Sequence, residues 1–450
     1  MQNILYKSLT AAAALGLLVA CKPKQTVPTP DKGSVDVSKY VSLGNSITSG
    51  FADAALYYDG QMVSYPNLLA EQFKQVGGGN FNQPYMPVGS VGIGSSLNAK
   101  LVLGYATDCK GVNALSPVAF ATSGDITGLF TNISAQAPFN NMGVPGAKAI
   151  TVVTPGYGNP ANGFGNYNPF FTRMLATSEY STASMLSKCI AQNPTFFSVF
   201  IGNNDVLGYA LSGGSSDAIS PSAGVVGVGF DASIDAVVNG LTANGAKGII
   251  GTVPDVTNIP HFTTVPYNGL TLDATQAAQL NAAYGALGIS FSVGSNAFMI
   301  VDGAAPGGVR QMKSDELVLL STPQDSLKCA GWGSQKPLKN QYVLTETEIS
   351  GIQTAVVAYN NKIKAVADAK GLAFVDVNAF MAKAKKGIAY NGINISATFV
   401  SGGAFSLDGI HLTPLGNALL ANEFIKAINS KYSSSIPQLD VTKYHGVVFP

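Results

Sequence analysis

The chain is 450 residues long, 46% hydrophobic and only 11% charged, with 26 basic against 25 acidic side chains. That balance leaves no basic stripe for nucleic acid and no acidic tail, so those function classes are excluded at the outset. The length suits one large domain with insertions rather than a string of small modules.

In chain order, Lys7 is followed by an apolar run from Leu9 to Val19, too short to span a membrane as a stable helix. The run ends in Leu18-Val19-Ala20-Cys21, which resembles a bacterial lipobox. The resemblance implies a signal peptide over 1–20, cleavage before Cys21 and acylation of that cysteine. The protein would then be exported and held to a bacterial membrane, the outer membrane being the expected one, by a lipid anchor alone. An ordinary signal peptide with an incidental cysteine is the alternative. Residues 21–38 are rich in Pro, Lys, Thr and Asp without apolar periodicity, and read as a flexible tether that packs no core. Losing 1–20 removes Lys7 and leaves 25 basic against 25 acidic side chains, a formally neutral body.

Beyond the tether, short apolar runs bounded by Gly, Pro and Asn predict buried strands at 40–43, 196–201, 247–253 and 372–377. Helices are predicted over 182–191, 234–243, 274–287, 346–369 and 413–429, the fourth opening on Thr345 and Glu348 at capping-box spacing and stopping at Gly371. Alternation of this kind argues for an α/β domain, a parallel sheet covered on both faces, over 39–432. Two long stretches, about 75–139 and 258–342, interrupt it as insertions, and 433–450 reads as a C-terminal tail. Beside Cys21 the cysteines are Cys109, Cys189 and Cys329, which allow one internal disulfide at most and match no zinc spacing. Cys109 with Cys329 is the preferred pair because both lie in insert-like stretches, though the spacing does not decide it.

Four segments carry chemistry. Gly44-Asn45-Ser46 follows the first strand, Asn141 to Gly146 forms a second block, and Gly202-Asn203-Asn204-Asp205 follows another strand. Asp408-Gly409-Ile410-His411 lies near the C-terminus, and His411 is the one of three histidines with an aspartate three positions before it. A serine hydroxyl needs a base, the base needs an orienting carboxylate, and the developing oxyanion needs donors. Taken singly these are a turn serine, a polar turn, a loop glycine and an Asp capping the next helix. In this order they resemble the SGNH hydrolases, also called GDSL-type lipases and esterases.

The resemblance implies a flavodoxin-like three-layer α/β/α sandwich and a carboxylic ester hydrolase with no metal or organic cofactor. It implies Ser46 as nucleophile, His411 as general base and Asp408 as its partner, with Ser46, Gly146 and Asn204 as oxyanion donors. Expected substrates are esters: a lipid, a small acyl ester or an acylated glycan. A polysaccharide O-acetyl esterase and a non-catalytic surface binding protein on the same fold are the alternatives. Asn45 departs from the family's usual Asp, which is expected to alter local support rather than chemistry. His261 reads as a structural loop histidine that could line the cleft, and His445 as a tail residue without a chemical role. The aromatic, turn-rich run from Gly156 to Phe171 reads as packing under its own loop, with an apolar rim receiving an acyl chain or sugar as the other possibility.

Overall fold

Every side chain of Tyr40–Gly44 and Phe196–Phe200 is buried, so both strands need cover on two faces. A computed structural model, which describes residues 29–390 and 392–450, supplies that cover. The expected signal segment and Cys21 lie outside the described residues.

The central sheet has five strands: β1 (Tyr40–Gly44), β2 (Asn141–Gly143), β3 (Phe196–Phe200), β4 (Lys247–Gly251) and β5 (Ala373–Val375). Their spatial order is β2-β1-β3-β4-β5, and every pairing is parallel. This is the flavodoxin-like order, whose switch point lies between β1 and β3, where ligands bind at the carboxyl ends of the strands. Register is held partly by polar atoms inside the sheet: Ser42 faces both Asn141 and Ser198, and Tyr40 Oη, Ser198 Oγ and Ser42 Oγ form a buried chain at 2.6 and 3.1 Å.

A short helix α1 (Ser46–Ser49) follows β1 directly. On one face α2 (Tyr65–Lys74) packs with α8 (Pro414–Tyr432), where Tyr65 and Phe424 meet at 4.9 Å. On the other lie α3 (Met185–Ile190), α4 (Asn204–Leu211), α5 (Phe230–Thr242) and α6 (Glu346–Lys370), with Phe230 stacked on Tyr359 at 3.8 Å. Helix α6 starts and stops where predicted: Glu348 accepts from the Thr345 N–H, and Gly371 closes the helix at φ 63°. After β5 comes α7 (Val377–Lys386).

Two expectations need correction. The described part of the tether does pack: Val35 and Val37 are buried in the main core, and Ser34 N–H donates to Tyr432 O at 3.0 Å. Two valines at alternate positions are enough to seat an extended segment, and Lys247 Nζ holds the Ser34 carbonyl at 2.6 Å. The C-terminal stretch is likewise no loose tail. Ile436, Leu439 and Val441 are buried because α8 carries Asn422 and Asn429, whose amides exchange hydrogen bonds with the backbone of Leu439 and Ile436.

Both insertions have structure of their own. The first contains a hairpin, Leu101–Thr107 paired with Asn113–Ala119. The second builds a separate apolar cluster around Phe298, Met299, Ile300 and Leu338. A Cys109–Cys329 disulfide joins them, beside a Lys328–Asp108 ion pair at 3.0 Å. Cys189 is a buried free thiol, pushed up to about 12 by burial. No helix among the described residues is long and apolar enough to cross a membrane.

Candidate active site

The chain leaves β1 through Asn45, whose side-chain Oδ1 accepts the Ile47 N–H at 3.1 Å and caps α1. The uncharged amide therefore makes the same short-range contact a carboxylate would make there. Ser46 is the first helical residue, 8% exposed, and its hydroxyl lies 2.8 Å from His411 Nε2. His411 Nδ1 lies 2.7 Å from Asp408 Oδ2. The three side chains thus form one continuous hydrogen-bonded line, and Phe51 packs against the imidazole at 4.7 Å between ring centres.

Asp408 is held on all sides. Oδ1 accepts the N–H groups of Ile410 and His411 and the Ser406 hydroxyl, while Oδ2 also accepts the Ala54 N–H at 2.9 Å. Burial alone would raise this carboxyl. The charge of His411 and these donors outweigh burial and hold it well below the usual carboxylate range. The support comes from a segment that sequence reading missed. Asp53 and Ala54 both have positive φ, 52° and 62°, a left-handed conformation that Asp tolerates better than Ala. Asp53 Oδ1 accepts the Leu407 N–H, its own N–H donates to Ser406 Oγ, and Tyr57 Oη donates to its Oδ2. Nothing in the run Phe51-Ala52-Asp53-Ala54 marks it in the sequence as the brace of a loop 354 residues away.

The Gly146 loop follows β2 and is tied to the end of β1 by the Val144 N–H, which donates to Gly44 O at 3.1 Å. Gly146 has φ +80°, a left-handed conformation that favours glycine, and a Cβ there would meet nothing closer than Asn168 Nδ2 at 3.7 Å. The reason for glycine is therefore the backbone angle more than a steric approach. Three side chains fix this loop: Asn168 Nδ2 donates to Pro145 O, Asn204 Nδ2 to Ala147 O, and Asp205 Oδ2 accepts the Ala149 N–H at 2.7 Å. The N–H groups of Ser46 and Gly146 make no hydrogen bond among the described residues. The Asn204 amide carries two N–H hydrogens, and one serves Ala147.

Asn168 was not singled out from sequence, nor was Asp205 beyond its place in the Gly-Asn-Asn-Asp turn. Burial pushes the Asp205 carboxyl up to about 6. The folded chain thus keeps a proton that the unfolded chain releases near pH 4. The associated stability is complete below that pH and is lost as the pH rises through 6, roughly 3 kcal/mol in all. Urea unfolding at pH 4 and pH 8 is expected to show that loss in the wild type and a much smaller one in Asp205→Asn.

His261 is brought to the Asp408 loop, where its N–H donates to Gly409 O at 2.9 Å, and it lines the large cleft on that side. Both ring nitrogens are buried without a partner, and burial lowers its pKa. It does not join the Ser46–His411–Asp408 line. His445 is distant in role as well, its Nδ1 lying against its neighbour's carbonyl, Gly446 O, at 2.8 Å. Of the aromatic run, Phe170 and Phe171 enter the core while Phe164 stays 72% exposed.

No family model matches the chain, and no curated protein matches it. Among solved structures, similarity is found to LAE5, an alpha/beta hydrolase enzyme from the metagenome of Lake Arreo, Spain. The two are 12% identical, with 88% of this chain and 96% of that one aligned at a TM-score of 0.37. So distant a likeness adds nothing about the site, whose chemistry has to be read from its own geometry.

Proposed function

We propose that this chain is a serine hydrolase of the SGNH type, cleaving carboxylic esters through an acyl-enzyme on Ser46. The observation that carries the reading is the unbroken line from Ser46 Oγ through His411 to Asp408 at 2.8 and 2.7 Å. His411 Nε2 takes the hydroxyl proton as Oγ attacks the ester carbonyl carbon. The oxyanion forms toward the N–H groups of Ser46 and Gly146 and the Asn204 amide. As the intermediate collapses, the C–O bond to the alcohol breaks and His411 gives its proton to the departing oxygen. Water then repeats the sequence on the acyl-enzyme, releasing the carboxylic acid and returning the proton to Ser46. In the same proposal the mature protein is exported and lipid-anchored at Cys21, near but not across a bacterial membrane.

Fluorophosphonate labelling tests the reading directly. One equivalent should attach to Ser46 of soluble protein beginning after Cys21, and a wild type that stays unlabelled would refute it. Replacing Asn204 by alanine is expected to lower kcat about 10²- to 10³-fold, as loss of one oxyanion donor does. The comparison should be made by p-nitrophenyl butyrate hydrolysis at matched folded content.

A further inference from the structure

The two insertions and the Asp408 loop are joined into a ring. On one side the Leu101 N–H, at the base of the hairpin, donates to Asp53 O at 2.8 Å, and Asp53 Oδ1 takes the Leu407 N–H. On the other, the Leu320 N–H of the second insertion donates to His261 O at 2.8 Å, and the His261 N–H holds Gly409 O. The Cys109–Cys329 disulfide completes the circuit between hairpin and second insertion. These same segments line a cleft of about 1520 Å³, with Leu101, Leu320, Cys329, His261, Leu407 and Asp408 all on its wall. That exceeds the roughly 300–1,000 Å³ of sites for single small molecules. Ser46, Gly146, Asn204 and His411 do not line it, so the cleft lies apart from the reacting atoms.

The lining has a consistent chemistry. Gln276, Gln279, Gln324 and Gln335 contribute amides, and Ser321 and Ser334 hydroxyls. Such groups both donate and accept, as a sugar hydroxyl does. Besides Asp408 the charged residues on the wall are Lys110, Asp325, Lys328 and Lys336, and Lys328 is already paired with Asp108 at 3.0 Å. Among the polar groups stand apolar steps, including the half-buried Phe399. The turn that carries Phe399 is strained. Val400 has φ 63°, a conformation that β-branched residues avoid, and the Ser401 and Gly402 N–H groups fold back onto Phe399 O and Thr398 O at 2.7 and 2.8 Å. Backbone strain of this kind clusters where ligands are held.

We infer that the ring frames a carbohydrate site for a neutral polysaccharide strand, with the carbon–hydrogen face of a sugar on Phe399 and hydroxyls on the glutamine amides. A lipid tail is disfavoured, because its methylenes would strip water from these amides and hydroxyls and return no hydrogen bond. The inference goes beyond ester hydrolysis and does not rest on it.

The test is calorimetric titration of soluble protein beginning after Cys21 with cellohexaose, xylohexaose and chitohexaose, none of which carries an ester. At least one should bind saturably at one site per chain. Phe399→Ala should weaken that binding about tenfold, and Gln279→Ala about threefold. Gln279 is exposed on the helix Ala274–Tyr284, so its replacement reads the cleft even should Phe399→Ala fail to fold. No saturable binding of any of the three, or an affinity that neither folded variant changes, would overturn the inference. So would preferential capture of polyglutamate that is abolished by about 0.5 M NaCl, since that would assign the cleft to Lys110 and Lys336. Because the probes are not esters, failure here leaves the hydrolase reading standing, and failure of that reading leaves this binding intact.

Discussion

Ser46→Ala is expected to lower kcat on p-nitrophenyl butyrate by about 10⁵- to 10⁶-fold, with little change in thermal stability. The size follows from the arrangement. His411 Nε2 has Ser46 Oγ at 2.8 Å as its partner on that side, so without the hydroxyl the base has no covalent route to serve. What remains is the electrostatic help of the oxyanion donors for direct attack by water, worth roughly 10³- to 10⁴-fold over the uncatalysed reaction in comparable sites. The side chain removed is small, and its loss should not disturb the Asn45 cap, which is made by a different residue. Rates of wild type and variant on the same ester, with melting curves alongside, decide the matter. Equal rates would exclude Ser46 as the nucleophile.

Asp408→Asn should cost about 10⁴-fold in kcat, and the argument is one of tautomers. Oδ2 of Asp408 accepts from both His411 Nδ1 and the Ala54 N–H, while Oδ1 accepts from two backbone N–H groups and Ser406. An asparagine must keep its carbonyl oxygen toward the Oδ1 side, where three donors converge. Its amide NH₂ then faces Nδ1, which can only accept, and the proton moves to Nε2, where it points at Ser46. The base is thereby protonated where it needs to be free. The same amide confronts the Ala54 N–H donor to donor, so a stability loss of about 1–3 kcal/mol should accompany the kinetic one. Measuring kcat from pH 6 to 9 beside urea unfolding separates the two effects. A variant that is merely less stable but keeps wild-type kcat would show that Asp408 does not set the tautomer.

The sheet and its site were legible in the sequence to unequal degrees. Runs such as Phe196–Phe200 announce themselves, because five buried apolar or small residues between turn signals have few other uses. β2, Asn141–Gly143, does not: it has three residues and no β-branched side chain, and its place is fixed by pairing with β1. α2, Tyr65–Lys74, also went unread, its apolar stripe blurred by Tyr65, Pro66 and Asn67 in the first turn. At the site, the residues expected to react were readable because their chemistry demands particular side chains at particular spacings. The braces were not. Asp53, Ser406 and Asn168 act through backbone contacts with distant segments, and any residue able to make such a bond would look the same in a linear sequence. The packed N-terminal segment escapes sequence reading for a related reason: composition speaks for solvation, and two valines buried in the main core outvote it.

That segment has a consequence for which way the site looks. Ser34 is fastened near the amino ends of the strands, by Lys247 at the start of β4 and by the last turn of α8, whereas Ser46 and His411 sit at the carboxyl ends. With Cys21 as the proposed anchor, the leash to Asp31 spans ten residues and reaches at most about 35 Å. A folded chain of this length is roughly 55 Å across, so the leash is shorter than the body it holds. Turning Ser46 down to the anchoring bilayer would require that leash to wrap around the whole domain. Under the proposed anchor, the domain would stand with the amino ends of its strands toward the membrane, and a substrate of the proposed hydrolase would reach Ser46 from the opposite side.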